Sequence, residues 1–418
     1  MPLTGMFYSL FYGLPAFFVG YSARPGETRV EFYGGSFIDE INLKAQFLVL
    51  MGVGLLFIFW AGAKKSNLLQ RVPQFSVSGV SRSQNIPFLT WGLAIGCLGY
   101  WVFPAVRGLP SVGQFLQPAG YVAFSVFYVL QCRGKLSRGH AIGYFFCLLP
   151  IWVSELLVSG LMTHAMYLAI LWITLRLKFK GVLSWKLMLT ALAFILIIYP
   201  GIKNYRNHYW SSAEQVSTTT KFLGLARSVI SPNENIQEDL PRYKGFVHRI
   251  SLVFSFSHVY EQTPDSVPYW KGETYRTLFT GWIPRFIWTS KPKESWGNVF
   301  GRRYGILDKG DESNSLNIPW ITEMFANFGT LGVVLGMSLV GLFLGVLETV
   351  LNSPLARPLE QSIGAAVLLP LFYQESNFTV MTGSLLPLVI CLWLYFVIGQ
   401  RLPIPFVGAD TAASTPDK

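Results

Sequence analysis

Residues 318–350 read IPWITEMFANFGTLGVVLGMSLVGLFLGVLETV, and between Glu323 and Glu348 no charged residue interrupts the run. Crossing the hydrocarbon core of a bilayer as a helix takes roughly 20 consecutive apolar residues. This stretch is long enough to cross, and that sets the class of the chain. Further apolar runs lie at about 4–21, 45–63, 86–104, 119–131, 141–158, 161–176, 186–201, 361–374 and 384–400. The expected fold is an all-α polytopic membrane protein: about ten transmembrane helices with one large extracytoplasmic loop domain.

Composition points the same way. Of 418 residues, 51% are hydrophobic, 16% aromatic and only 13% charged, against about 25% charged in soluble domains. This excludes a disordered chain, a basic nucleic-acid-binding module and a disulfide-stapled secreted domain. The net charge of +11 comes mainly from cations between the apolar runs. Cys97, Cys132, Cys147 and Cys391 form no CxxC pair, and they read as small apolar filler.

Short cytoplasmic loops collect Lys and Arg. Lys64, Lys65, Arg71 and Arg82 follow the second run. Arg133, Lys135 and Arg138 follow the fourth, and Arg176, Lys178, Lys180 and Lys186 the sixth. Arg357 follows the eighth and Arg401 the tenth. The alternation predicts both termini in the cytoplasm. Because the first run lacks a basic leader, a retained helix is expected there rather than a cleaved signal. The predicted division is 1–201, an N-terminal bundle of about seven spans; 202–317, an extracytoplasmic catalytic loop; 318–407, about three spans; and 408–418, a disordered cytoplasmic tail.

Several common catalytic motifs are missing. There is no GxxxxGK[ST], no HExxH and no GxSxG, which removes the P-loop, zincin and nucleophile-elbow chemistries. The five histidines are scattered, so neither a metal nor a cofactor is expected. The informative feature is the outer loop. Between Gly201 and Pro319 it holds fifteen Lys+Arg and eleven Asp+Glu. Its cations include Arg242, Arg249, Arg276, Arg285, Lys291, Lys293, Arg302 and Arg303. They alternate with Tyr243, Tyr269, Trp270, Tyr275, Trp282, Trp288 and Trp296. A guanidinium fork matches phosphate oxygens, and aromatic faces suit sugar rings. A phosphate-headed lipid carrying a sugar would fit such a surface. Interfacial anchoring by the same Arg and Trp residues is the plainer alternative.

Three blocks between Lys271 and Gly329 sharpen the choice. The first is Gly272-Glu273-Thr274-Tyr275, followed by Ile283-Pro284-Arg285-Phe286-Ile287-Trp288-Thr289-Ser290-Lys291-Pro292. The second is Gly297-Asn298-Val299-Phe300-Gly301, leading to Tyr304-Gly305. The third is Asn314-Ser315-Leu316-Asn317-Ile318-Pro319, then Thr322-Glu323-Met324-Phe325-Ala326-Asn327-Phe328-Gly329. These resemble the bacterial O-antigen and exopolysaccharide repeat-unit polymerases, the Wzy-like family of GT-C type membrane glycosyltransferases. Thr289 and Ser290 stand where many relatives look like Pro-Asp.

The resemblance implies a metal-independent, cofactor-free enzyme at the outer face of the inner membrane, with its catalytic loop on the periplasmic side. It would transfer a growing glycan from an undecaprenyl diphosphate carrier to the non-reducing end of a new lipid-linked unit. Its partners would be undecaprenyl-diphosphate-linked oligosaccharides, membrane lipid and a chain-length regulator protein, with no nucleic acid. Breaking the anomeric C–O bond puts negative charge on the departing diphosphate, and fixed cations aimed there lower the barrier. Arg285 and Lys291 are the first candidates, then Arg249, Arg276, Arg302 and Arg303; the last two could equally be a solvated pair. Glu323 would orient or deprotonate the acceptor hydroxyl, or else pair with a loop Arg. Asn327 lies one turn away on the same helix face, and His248 and His258 are alternative bases. Tyr275, Trp288 and Asn317 would contact sugar. Ligase-like transfer to another acceptor and a non-catalytic lipid or polysaccharide transporter are the competing readings.

Overall fold

The computed structural model describes residues 1–15, 29–32, 35–77, 85–159, 162–182, 186, 205, 218–230, 251–281, 283, 287–291, 295–312 and 314–402. Nearly all of the expected seventh span, the end of the first and the tail 408–418 lie outside them, as do Arg249, Arg285 and His248.

Among the described residues the regular structure is helical apart from one hairpin, a short departure from the all-α expectation. Strands β1 (Arg29–Phe32) and β2 (Gly35–Ile38) pair antiparallel, with Arg29 opposite Ile38. The main helices are α1 (Pro2–Tyr8), α2 (Asp39–Lys65), α3 (Ile86–Val102), α4 (Gly113–Cys132), α5 (Arg138–Val158), α6 (Met162–Lys180) and α7 (Thr218–Ile230). They continue with α8 (Leu252–Gln262), α9 (Leu278–Gly281), α10 (Trp296–Arg303), α11 (Trp320–Leu351), α12 (Pro358–Leu368), α13 (Phe378–Thr382) and α14 (Leu385–Gly399). Five stretches are long and apolar enough to cross a membrane: Glu40–Lys65, Gly113–Cys132, Arg138–Val158, Trp320–Leu351 and Phe378–Gly399. Ile86–Val102 and Pro358–Phe372 are shorter apolar helices. By these helices the chain is a membrane protein.

Two compact units form from interleaved pieces of chain. The first comprises Met1–Gln74, Glu238–Ser353 and Pro370–Pro387; the second comprises Phe75–Gln237, Pro354–Leu369 and Leu388–Lys418. The later part of the polar loop therefore shares a unit with α2, α8 and α11, while α6 and α7, which precede it in sequence, belong to the second unit.

The first unit is built on α2 and α11, which run parallel. Gly52 faces Val333, the Leu56 backbone faces Gly341, and Ala63 faces Gly345. At the C-terminal end of the pair the Trp60 indole donates to Glu348 Oε2 (2.8 Å), and Lys64 lies 3.6 Å from Glu348 Oε1. Lipid tails are as apolar as the helices, so burial from water does not drive the pairing. Van der Waals contact does, and small residues permit the closest approach. Gly341 and Gly345 make this a small-xxx-small face. Helix α8 packs on both partners, with Tyr260 stacked on Phe325 at 5.0 Å.

In the second unit α3 and α4 form an antiparallel pair with Cys97 against Gly120. Tyr395 of α14 donates to the Leu89 carbonyl of α3 at 2.7 Å.

A Cβ at Gly341 would collide with the Leu56 carbonyl, whereas one at Gly54 would meet nothing within 4 Å. Gly341→Leu should therefore cost about 1–3 kcal/mol, the usual range for overpacking. Gly54→Leu should stay within about 0.5 kcal/mol. Thermal unfolding of the two variants in the same detergent separates them, and equal midpoints would contradict the packing described.

Candidate functional site

Helix α11 is broken at Gly329, whose φ of 62° and ψ of −149° lie in a region essentially reserved for glycine. A Cβ there would also come within 2.6 Å of the Tyr269 hydroxyl. The break turns residues 320–328 back along the rest of the helix. The Met324 carbonyl lies against Gly332 and its side chain against Gly336, while Ile321 joins Val333 and Met337 over Gly52. In a straight helix residues 324 and 336 would be about 18 Å apart along the axis. The remainder, 330–351, would span about 33 Å, close to a hydrocarbon thickness of about 30 Å. Residues 320–328 thus form a re-entrant segment beside a full crossing.

A broken helix leaves carbonyls without their usual partners. Here a loop supplies them. The amides of Trp270 and Lys271 donate to the carbonyls of Ala326 (3.0 Å) and Asn327 (3.2 Å). Lys271 and Gly272 both take positive φ, 52° and 86°, which turns the loop across the helix end. Asn327 then ties the two together. Its Oδ1 accepts from the Gly272 amide (2.8 Å), and its Nδ2 donates to Thr274 Oγ1 (2.9 Å) and the Glu323 carbonyl (2.8 Å). The side chain is 1% exposed, and both its N–H donors and its oxygen are used.

Glu323 is fully buried, and its Oε2 accepts from the Phe378 amide at 2.7 Å. Thr379 Oγ1 donates to the Thr274 carbonyl (3.2 Å), so α13 closes the other side of the same cluster. The Trp320 amide donates to the Gln374 carbonyl (3.2 Å), and Gln374 Oε1 accepts from the Tyr8 hydroxyl (2.7 Å). Tyr275 stacks on Phe328, centroids 6.4 Å apart and rings 8° from parallel. Burial first, and then the negative charge of Glu323, push the Tyr275 phenol well above its ordinary range. It remains an O–H donor at neutral pH.

The cations divide into held and unheld. Lys291 Nζ donates to the carbonyls of Gly281 and Ile283, both at 3.1 Å. Arg303 donates to the Pro268 carbonyl (2.9 Å), lies 3.7 Å from Glu273 and sits 4.8 Å over the Trp270 ring. Arg276 is exposed beside Tyr275 in sequence. Arg302 makes a 3.5 Å contact to the Lys309 carbonyl.

The structure therefore brings Glu323, Asn327 and Tyr275 into one cluster. Lys291 adjoins it through Gly281, whose backbone packs on Gly383 beside α13. Arg303 is anchored on the Trp270–Glu273 part of the loop. Trp288 bonds locally to Ser290 (2.9 Å), and Asn317 is exposed; no contact joins either to the cluster. The His258 ring is used within the fold, against the Tyr304 carbonyl and Gln262, both at 2.9 Å. Among the described residues no group of three or more His, Cys, Asp or Glu could hold a metal.

Gly272, Thr274, Gln374, Tyr8 and the Phe378 amide were not expected members of the site. The sequence carries a signal for one of them: Gln374-Glu375-Ser376-Asn377 is a polar interruption between two apolar runs.

Residues 81–353 match the family described as Domain of unknown function (DUF8712), and the chain belongs to that family. No curated protein and no solved structure matches the chain.

Asn327→Ala removes three hydrogen bonds and leaves the Gly272 amide without its acceptor. The variant should lose about 1–3 kcal/mol of local stability, the desolvation cost of one orphaned group. Trypsin should then cut faster after Lys271 and Arg276. Cleavage there at the native rate would show that the loop is held by other means.

Proposed function

We propose that this DUF8712 member is a membrane glycosyltransferase that polymerises oligosaccharide units carried on a polyprenyl diphosphate. The observation that carries the reading is the cluster just described. Gly272, Thr274 and Tyr275 of the first sequence block and Glu323, Asn327 and Gly329 of the third lie 40 or more residues apart in the chain. They meet in hydrogen-bonded or stacked contact at one helix break.

The proposed topology has ten spans, both termini in the cytoplasm, and the 202–317 loop outside the bacterial inner membrane. The parallel run of α2 and α11 supports this orientation. Lys64 and Lys65 end α2, and Arg357 follows α11, so the cation-rich ends of both helices belong to one side of the bilayer. The Gly329 break belongs to the other side, where a lipid-linked substrate already moved across the membrane would present its headgroup.

In the proposed reaction the bond between the anomeric carbon and the diphosphate oxygen breaks. A new bond forms from that carbon to an acceptor sugar hydroxyl, whose proton passes to the departing diphosphate. Negative charge develops on the diphosphate. Donors that are already fixed stabilise it without reorganising. Lys291, held by two carbonyls, fits such a fixed charge. Exposed Arg276 is free to meet phosphate, and Arg285 stands between them in sequence. Glu323 and the protonated Tyr275 supply an acceptor and a donor for sugar hydroxyls, and Asn327 holds the frame on which both sit.

A lipid or polysaccharide transporter is a second reading, because broken helices at membrane depth also mark transport pathways. Loss of Arg285 distinguishes the two. Under the enzymatic reading, Arg285→Ala slows polymerisation by about 10²–10³, the effect of removing one preorganised donor. Single repeat units remain on lipid at the outer face. Arg285→Lys fails as well, since a point charge cannot copy the bidentate fork. Gel profiles of extracted glycans from cells carrying each variant report both effects. Full-length polymer from Arg285→Ala would overturn the enzymatic role, and absence of units from the outer face would favour transport.

A further inference from the structure

The second compact unit contains a cavity of about 590 Å³ between α4, α5 and α6, within the range of about 300–1,000 Å³ typical of small-molecule sites. Its walls are almost wholly apolar, with Phe124, Phe145, Leu149, Leu156 and Leu168 among them. Tyr128, Gln131 and Trp172 line it near one end. That end is where α4 and α6 finish and α5 begins. Arg176 lies one turn beyond Trp172, and its Nε is buried without a hydrogen-bond partner. The guanidinium is within electrostatic reach of the Tyr128 hydroxyl. That hydroxyl is also buried, beside Trp172 and Cys132.

A buried guanidinium N–H of this kind is costly unless something outside the protein satisfies it. The surrounding charge indicates what that is. Arg133, Lys135 and Arg138 follow α4, and Lys178 and Lys180 end α6; no Asp or Glu occurs in 132–141 or 172–182. An apolar cavity open toward a cationic rim suits an amphiphile with an anionic head.

We propose that this cavity binds one acidic phospholipid of the bilayer leaflet that faces the basic loops, with an acyl chain between α4, α5 and α6 and its phosphate on Arg176 and Tyr128. A zwitterionic lipid would bring a positive group to a rim already rich in positive charge. The chain fits because, away from Tyr128, Gln131 and Trp172, the lining side chains are apolar and offer nothing that would hold water in its place. The site is separate from the proposed reaction. It stands whether or not the chain is a polymerase.

The test uses the full chain purified in detergent, to which phosphatidylglycerol or phosphatidylcholine with identical acyl chains is added. Native mass spectrometry counts retained lipid. The wild-type protein should retain phosphatidylglycerol about tenfold better, the effect expected for one charged hydrogen bond. Arg176→Gln should abolish that preference. Tyr128→Phe, which deletes only a hydroxyl, should reduce it and remains informative if Arg176→Gln fails to fold. Ala169→Phe, which fills the cavity from α6, should lower retention of both lipids. Equal retention of the two lipids by wild type, an unchanged preference in a folded Arg176→Gln, or stronger retention of a polyprenyl diphosphate than of phosphatidylglycerol would each overturn the proposal.

Discussion

Two backbone hydrogen bonds, from the amides of Trp270 and Lys271 to the carbonyls of Ala326 and Asn327, answer the break in α11 at Gly329. Gly329 can adopt the backbone angles that turn the chain, but the turn leaves carbonyls without their helical partners. Such backbone is tolerated only where protein surrounds and satisfies it. The loop does this by bringing its own amides across the helix end, and it needs positive φ at Lys271 and Gly272 to do so. Asn327 adds the side-chain part of the same arrangement. The loop's position in space is thereby set by the helix break, and anything the loop carries is held at a fixed place relative to Glu323.

That fixed relation explains how a fully buried carboxylate is tolerated. Glu323 accepts from the Phe378 amide, and the carbonyl of its own residue accepts from Asn327. The Phe378 bond is charge-assisted, the stronger class, and the donors of the two bonds come from α13 and from the next turn of the same helix segment. Losing any one of them leaves a buried group exposed to the full cost of desolvation. The cluster is therefore cooperative in construction: α13, the 270–275 loop and the re-entrant segment each complete the others. Tyr8 and Gln374 extend the network to the first helix.

The membrane-crossing helices were legible because their signal is local. The run at 318–350 appears as Trp320–Leu351, and the runs at 45–63 and 86–104 appear as Glu40–Lys65 and Ile86–Val102. The run at 119–131 begins earlier, at Gly113, because Pro118 lies inside the helix rather than before it. Glu323, Asn327 and Tyr275 were also legible, as polar groups standing next to or within apolar sequence. Their partners were not. Gly272 and Asn327 are 55 positions apart, and Thr274 and Thr379 are 105 apart. No periodicity encodes such pairings. The Gly329 break escaped because a glycine in an apolar helix usually signals close packing, as Gly341 does against Leu56. Only the backbone angles distinguish the two uses.

The same geometry sorts the loop cations by what each can still do. Arg303 is committed to a carbonyl, a carboxylate and an aromatic face, so its charge is largely spent in holding Trp270 and hence the loop. Lys291 is oriented by two carbonyls, and its position beside Gly281 keeps a directed positive charge near α13. Arg276 is exposed and adjoins Tyr275. An anionic group approaching the cluster would therefore meet one exposed cation and one held by two carbonyls. Preorganised charge of this kind is most effective when the frame is rigid. The hydrogen bonds at the helix break supply that rigidity, so the structural and the proposed chemical roles of residues 270–275 rest on the same contacts.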